Sequence, residues 1–93
     1  MNKAVFLDRD GVINHDPGDY TKSWDEFTFN EGVFESLRTF QEAGYLLIII
    51  TNQGGIAKGL YTQSDYEVLT DKMCTALAVE GVYIKDVYHS PHH

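Results

Sequence analysis

Residues 5–14 read Val-Phe-Leu-Asp-Arg-Asp-Gly-Val-Ile-Asn, and no other stretch restricts the fold as strongly. Apolar residues run straight into two acids spaced i, i+2, and a glycine follows at once. A continuous apolar run ending in turn chemistry predicts a buried strand of a parallel sheet. Asp8 and Asp10 then stand just past the carboxyl end of that strand, where open α/β sheets bind ligands. Two carboxylates so close repel each other, and a divalent cation relieves the repulsion. An oxygen-only donor set favours Mg2+, with Asp8 and Asp10 as its ligands. Asp10 can act through its side chain while its carbonyl also faces the metal. Asp8 can be a nucleophile, since carboxylates form aspartyl-phosphate intermediates. The competing reading is an acidic turn that merely caps a strand, because so short a motif recurs by chance.

The rest of the chain supplies a frame for that turn. Residues 4–7 form the first strand. Residues 11–30 form a loop or small hairpin, with Asp16-Pro17-Gly18-Asp19 as its turn. Trp24, Phe27 and Phe29 alternate with polar residues and predict a short flap strand beside Val12 and Ile13. The flap aromatics either exclude water above the acidic turn or simply pack against the body. Residues 30–44 carry Val33, Phe34, Leu37, Phe40 and Ala43 at helical spacing, with Asn30 as N-cap and Gly44 just past the end. Residues 45–50 are a second apolar strand, which completes a right-handed βαβ unit with parallel strands.

That second strand runs into Thr51-Asn52-Gln53-Gly54-Gly55-Ile56-Ala57-Lys58-Gly59, a second polar turn at the same end of the sheet. Thr51 offers a hydroxyl, and the glycine-rich N–H groups can form an anion-binding nest. Asn52 and Gln53 add amides for sugar hydroxyls or phosphate oxygens. Lys58 either meets an anionic substrate or is an ordinary solvated charge. Residues 62–80 are a second helix, opened by a Thr62/Asp65 capping box and faced by Tyr66, Leu69, Met73, Ala76 and Leu77. Gly81 ends it, and residues 82–88 form a third, less apolar strand suited to a sheet edge.

At 93 residues the chain fits one small domain spanning 1–93. Its net charge of −7 argues against nucleic acid and anionic membranes as partners, though not against a small phosphorylated metabolite. Cys74 is the only cysteine, so no intrachain disulfide forms, and it sits within a helical pattern as a small core residue. The longest apolar run is too short to span a bilayer and no signal peptide precedes it, so the cytoplasm is the expected compartment.

Together, Asp8-Arg9-Asp10-Gly11-Val12-Ile13-Asn14 and the turn from Thr51 to Gly59 resemble the haloacid dehalogenase (HAD) phosphatase superfamily. The similarity runs along the whole chain, and it is to the branch holding D,D-heptose 1,7-bisphosphate and histidinol-phosphate phosphatases. It implies a HAD-like α/β fold, a Rossmann-like parallel sheet with flanking helices: three core strands and a small flap after the first. It also implies a Mg2+-dependent phosphomonoester hydrolase, with Asp8 as nucleophile and Asp10 as general acid/base. Thr51 and Asn52 would bind the transferring phosphate, with Arg9, Gly11 and Lys58 also among the phosphate or substrate contacts. Asp16, Gly18, Asp19, Tyr20, Gln53 and Gly54 would touch the rest of the substrate.

The departures from the family pattern are equally specific. The family continues with two more strands, which bring a Lys or Arg for the phosphate and a further Asp for Mg2+. Its zinc loop opens Cys-Pro-His-His, where this chain has Ser90-Pro91-His92-His93, so zinc is not expected. Without a fourth strand, the first becomes an open apolar edge. That edge predicts a homo-oligomer, or a fragment of a longer protein. Three functions follow for test: a phosphatase weakened by the missing groups, a catalytically silent binding or assembly module, and a phosphotransferase on the same scaffold.

Overall fold

The computed structural model describes residues 3–15, 23–52 and 58–90. Three strands form one parallel sheet in the order β1-β2-β3: β1 (Lys3–Asp8), β2 (Tyr45–Asn52) and β3 (Ile84–Ser90). Helix α1 (Val33–Glu42) links β1 to β2, and α2 (Gln63–Val79) precedes β3. The expected α/β frame is therefore present, with β2 central and β1 and β3 at the edges. Asp8 lies level with Ile50, and Ile50 with Tyr88, so all three strands run out at the same end.

Strand alternation decides what is buried. Leu47, Ile49 and Thr51 of β2 point to one face and are buried. Val33 and Leu37 of α1 and Met73 and Leu77 of α2 join Leu47 and Ile49 in one cluster, so both helices cover that same face. Val5 and Leu7 of β1 pack against it. The other face, with Leu46, Ile48 and Ile50, is only half-buried, and Phe6 on it is 62% exposed. The continuous apolar run of β2 implied burial on both faces. Among the described residues only one face is covered by helices.

Helix ends follow local chemistry. The hydroxyl of Thr62 accepts from the Asp65 N–H at 3.0 Å, and the Asp65 carboxylate accepts from the Thr62 N–H at 2.9 Å. This is the reciprocal capping box, made with the shorter acid. At the other end Gly81 takes φ +80°, its N–H donates to Ala78 O, and the Val82 N–H reaches back to Leu77 O at 2.9 Å. That Schellman closure buries Val82 against the core before β3 begins, so the strand starts two residues later than the apolar pattern suggested. Gln41 of α1 locks the same turn: its Nε2 donates to Gly81 O and its Oε1 accepts from the Tyr83 N–H, both at 2.8 Å. A Cβ at Gly81 would meet only Arg38 Cδ at 3.9 Å, so backbone strain sets the cost there. Gly81→Ala should lower unfolding stability by about 1–2 kcal/mol in urea titration.

Two sequence expectations are corrected. The N-cap of α1 is Gly32, at φ +79°, and not Asn30. Asn30 is drawn instead into contacts with the 11–14 turn, where its amide satisfies carbonyls distant in sequence. The flap strand is replaced by a 3-10 turn at Trp24–Glu26 and an isolated bridge between Asn14 and Phe29. Trp24 stacks on Phe27 at 5.3 Å, Phe27 meets Phe29 edge-on at 5.0 Å, and all three pack against the core. The described aromatics thus serve as body packing, because clustered rings bury more area than a lone ribbon above solvent.

Candidate active site

The acidic turn after β1 is built by its own backbone. The Arg9 N–H extends the sheet ladder to Ile50 O at 3.0 Å. The Arg9 carbonyl then accepts from the N–H groups of Val12, Ile13 and Asn14 at 3.3, 2.8 and 3.2 Å. Gly11 makes the reversal possible at φ +94°, and its N–H donates to Asn14 O at 2.8 Å. Ile13 is sunk in the core and anchors the turn from below. From outside, Asn30 Nδ2 donates to the carbonyls of Gly11, Val12 and Asn14 at 3.2, 2.9 and 3.3 Å. A turn held from both sides is a rigid platform for the two acids.

The side chains on it differ sharply. Asp8 is exposed at the strand end. Asp10 is partly buried, at 24% side-chain exposure, and its carboxylate is gripped. Arg9 Nε donates to Oδ1 and Nη2 to Oδ2, each at 3.2 Å, and Asn14 Nδ2 donates to Oδ1 at 3.0 Å. Arg9, expected among the phosphate contacts, is 1% exposed and turns its guanidinium onto Asp10. Gly11 stays exposed beside them.

Thr51, the penultimate residue of β2, stands one residue past the level of Asp8. Neighbouring strands lie roughly 4.8 Å apart, so the two turns share one rim of the sheet. The Thr51 side chain is buried, and its hydroxyl donates to the Tyr66 hydroxyl at 3.4 Å. Lys58 is exposed in the turn that follows. Asp16, Gly18, Asp19, Tyr20, Gln53 and Gly54 lie outside the described residues, as does the side chain of Asn52. His92 and His93 lie outside them too.

The donor chemistry of the turn fits Mg2+. This ion is commonly bound through one or two carboxylates and completes its shell with water and substrate phosphate. Asp8 offers an exposed carboxylate, and the backbone carbonyl of Asp10 would add a further oxygen from the same turn. No group of three or more His, Cys, Asp or Glu side chains is placed to hold a metal among the described residues. Two acids are therefore the most the turn itself contributes.

Away from this rim, Cys74 is half-buried against the core, and burial followed by the nearby Asp71 charge pushes its thiol up from the ordinary value. The thiol form is stabilised by folding, so that increment of stability is present below the unfolded thiol pKa and fades as pH rises through the folded one. Thiolate is scarce at neutral pH. Modification by a disulfide reagent should run slower than for a free thiol at about pH 8 and level off at a higher pH than for that thiol. Asp71→Asn should shift that profile to lower pH.

Asn14, Asn30 and Tyr66 were missed as parts of the site. Asn14 carried a signal, since it closes the same turn four residues after Asp10. Asn30 carried none, because its partners are 16–19 residues away. Tyr66 lies in the core, as its helical spacing predicts, yet its hydroxyl also meets Thr51.

A parallel sheet with an acid-x-acid turn at the end of β1, and a threonine near the end of the adjoining β2, defines a HAD-like phosphatase scaffold. The chain belongs to the polynucleotide kinase 3 phosphatase family, whose model matches residues 4–91. It is 44% identical over 93 residues to D-glycero-beta-D-manno-heptose-1,7-bisphosphate 7-phosphatase of Haemophilus influenzae, a match covering all of this chain and 50% of that protein. The Escherichia coli K12 protein of the same name is 43% identical over 90 residues, 97% of this chain and 47% of its own. Among solved structures, D,D-heptose 1,7-bisphosphate phosphatase from B. bronchiseptica, complexed with magnesium and phosphate, superposes with TM-score 0.91 at 34% identity. That match covers 98% of this chain and 51% of the other. The enzyme of that name from Burkholderia thailandensis gives TM-score 0.75 at 36% identity, covering 96% and 52%. The chain spans about half the length of the curated relatives it matches.

Proposed function

We propose that residues 1–93 form part of one HAD-like domain that hydrolyses a phosphomonoester of a small sugar phosphate through an aspartyl-phosphate. The observation that carries this reading is the pair of unlike acids on one rigid turn. Asp8 is open to solvent and Asp10 is gripped, beside the rim of β2 that carries Thr51. In the first step a carboxylate oxygen of Asp8 attacks phosphorus as the ester P–O bond breaks, and Asp10 gives its proton to the leaving oxygen. In the second, Asp10 takes a proton from water, the water oxygen attacks phosphorus, and the acyl-phosphate P–O bond breaks. Inorganic phosphate leaves and Asp8 is restored. Mg2+ held by Asp8 and Asp10 would neutralise charge on the phosphoryl oxygens. Thr51, Asn52, Gly11 and Lys58 are assigned to the phosphate, and Asp16, Gly18, Asp19, Tyr20, Gln53 and Gly54 to the remainder of the substrate.

The names of the relatives favour a heptose 1,7-bisphosphate as substrate over histidinol phosphate. Phosphate release from each, with Mg2+ and with Mg2+ chelated, tests the reading. Release from the heptose ester that stops on chelation supports it, and no release from either ester refutes it for this chain. A second reading, a silent assembly module, is favoured by the open edge of β1, which pairs only with β2 among the described residues. Pairing of that edge with another copy would give a homo-oligomer in the cytoplasm. Among the described residues, no helix is long and apolar enough to cross a membrane. Light scattering at micromolar concentration distinguishes an oligomer from a monomer.

A further inference from the structure

We propose that Arg9 is a positioning residue for Asp10: with Asn14 it clamps the Asp10 carboxylate so that the proton is handed over in one direction. This deepens the hydrolase reading above and rests on it. Three donors converge on the two carboxylate oxygens, from Arg9 Nε, Arg9 Nη2 and Asn14 Nδ2, at 3.2, 3.2 and 3.0 Å. The planar fork of a guanidinium engages both oxygens at once, which fixes the plane of the carboxylate as well as its position.

Stability alone is a poor account of such an arginine. Its side chain is 1% exposed, and among the described residues its Nη1 has no hydrogen-bond partner. A charge buried with one donor unused carries a desolvation penalty, and an apolar residue of similar volume is often at least as stable in such a place. What an apolar residue cannot do is orient a carboxylate. Asn14 is itself fully buried, and its amide also donates to His15 O at 3.1 Å, so the second jaw of the clamp is fixed in turn. Asp8, two residues earlier at the end of β1, is exposed. The turn thus separates a nucleophile that must reach out from an acid that must stay put, and displacement of a catalytic group by about 1 Å can cost on the order of 10²-fold in rate.

The test has a spectroscopic arm and a kinetic arm, both on the full chain. In 15N-labelled protein, the Arg9 Nε–H should exchange with water at least about 10-fold more slowly than that of the more exposed Arg38. Asp10→Asn should move the Arg9 Nε–H and Asn14 side-chain amide signals, whereas Asp8→Asn should leave them in place. In phosphate release, Arg9→Met should lower kcat by about 10²-fold with KM within about threefold, and Arg9→Lys should recover part of the loss. An Arg9 Nε–H that exchanges as fast as Arg38, or signals indifferent to Asp10→Asn, overturns the clamp and leaves the hydrolase reading standing. Arg9→Met with undiminished kcat overturns the positioning role. A wild-type chain without phosphate release overturns the hydrolase reading and the role together, while the exchange data still report whether the clamp exists.

Discussion

On the proposed reaction, Asp8→Asn should remove phosphate release while leaving the fold intact. The amide is nearly isosteric with the carboxylate but cannot attack phosphorus, so the covalent route is lost altogether. The expected fall in kcat is about 10⁴-fold or more, down to the background of the remaining groups. Asp8 is exposed, so the change should shift unfolding stability by no more than about 0.5 kcal/mol. The pairing of these two outcomes is what makes the experiment informative. A stable, folded variant with an undiminished rate would remove Asp8 from the chemistry. Initial rates of phosphate release and urea titration of the same preparation give both numbers.

Asp10→Ala behaves in the opposite way on stability. It strips the Arg9 guanidinium of the one carboxylate it hydrogen-bonds among the described residues and leaves a positive charge buried. Breaking a buried pair typically costs about 3–5 kcal/mol, and partial exposure of Asp10 reduces this to roughly 2–4. A domain of this size has on the order of 5–10 kcal/mol in all, so much of its margin goes. The double change Asp10→Ala with Arg9→Met should recover most of it, because the orphaned charge is then gone. Urea titration of the four species closes the cycle. If Asp10→Ala costs no more than Asp8→Ala, the pair does not hold this turn.

The parts of the fold legible in the sequence are those decided within a few residues. The Thr62/Asp65 box, the glycines at 44 and 81 and the strand–acid–glycine pattern at 5–11 depend on neighbours along the chain, and the structure carries each of them. The misread parts depend on partners far away in sequence. Asn30 looks like a cap because it precedes a helix, but the carbonyls it serves belong to a turn folded back from residues 11–14. Trp24, Phe27 and Phe29 alternate as a strand would, yet no described partner strand competes with the rings' own clustering against the core. At the site, the turn chemistry of Asp8 and Asp10 was visible, whereas the burial of Arg9 was not. Nothing in a local pattern says that an arginine between two acids will fold inward onto the second of them.

The exposed sheet face has a similar lesson. Leu46, Ile48 and Ile50 read as a strand buried on both sides, but both helices pack on the side of Leu47 and Ile49. Phe6 stands on that face in β1, which no helix covers among the described residues.

The central claim is that the acid at the tip of β1 becomes the phosphoryl carrier. The chain is incubated with Mg2+ and a heptose 1,7-bisphosphate, quenched in acid, reduced with borohydride and mapped by peptide mass spectrometry. Borohydride converts an acyl phosphate to an alcohol and leaves a free carboxylate untouched. Homoserine is expected in place of Asp8 alone, dependent on substrate. Reduction at Asp10, or phosphate release with Asp8 unmodified throughout turnover, would contradict it.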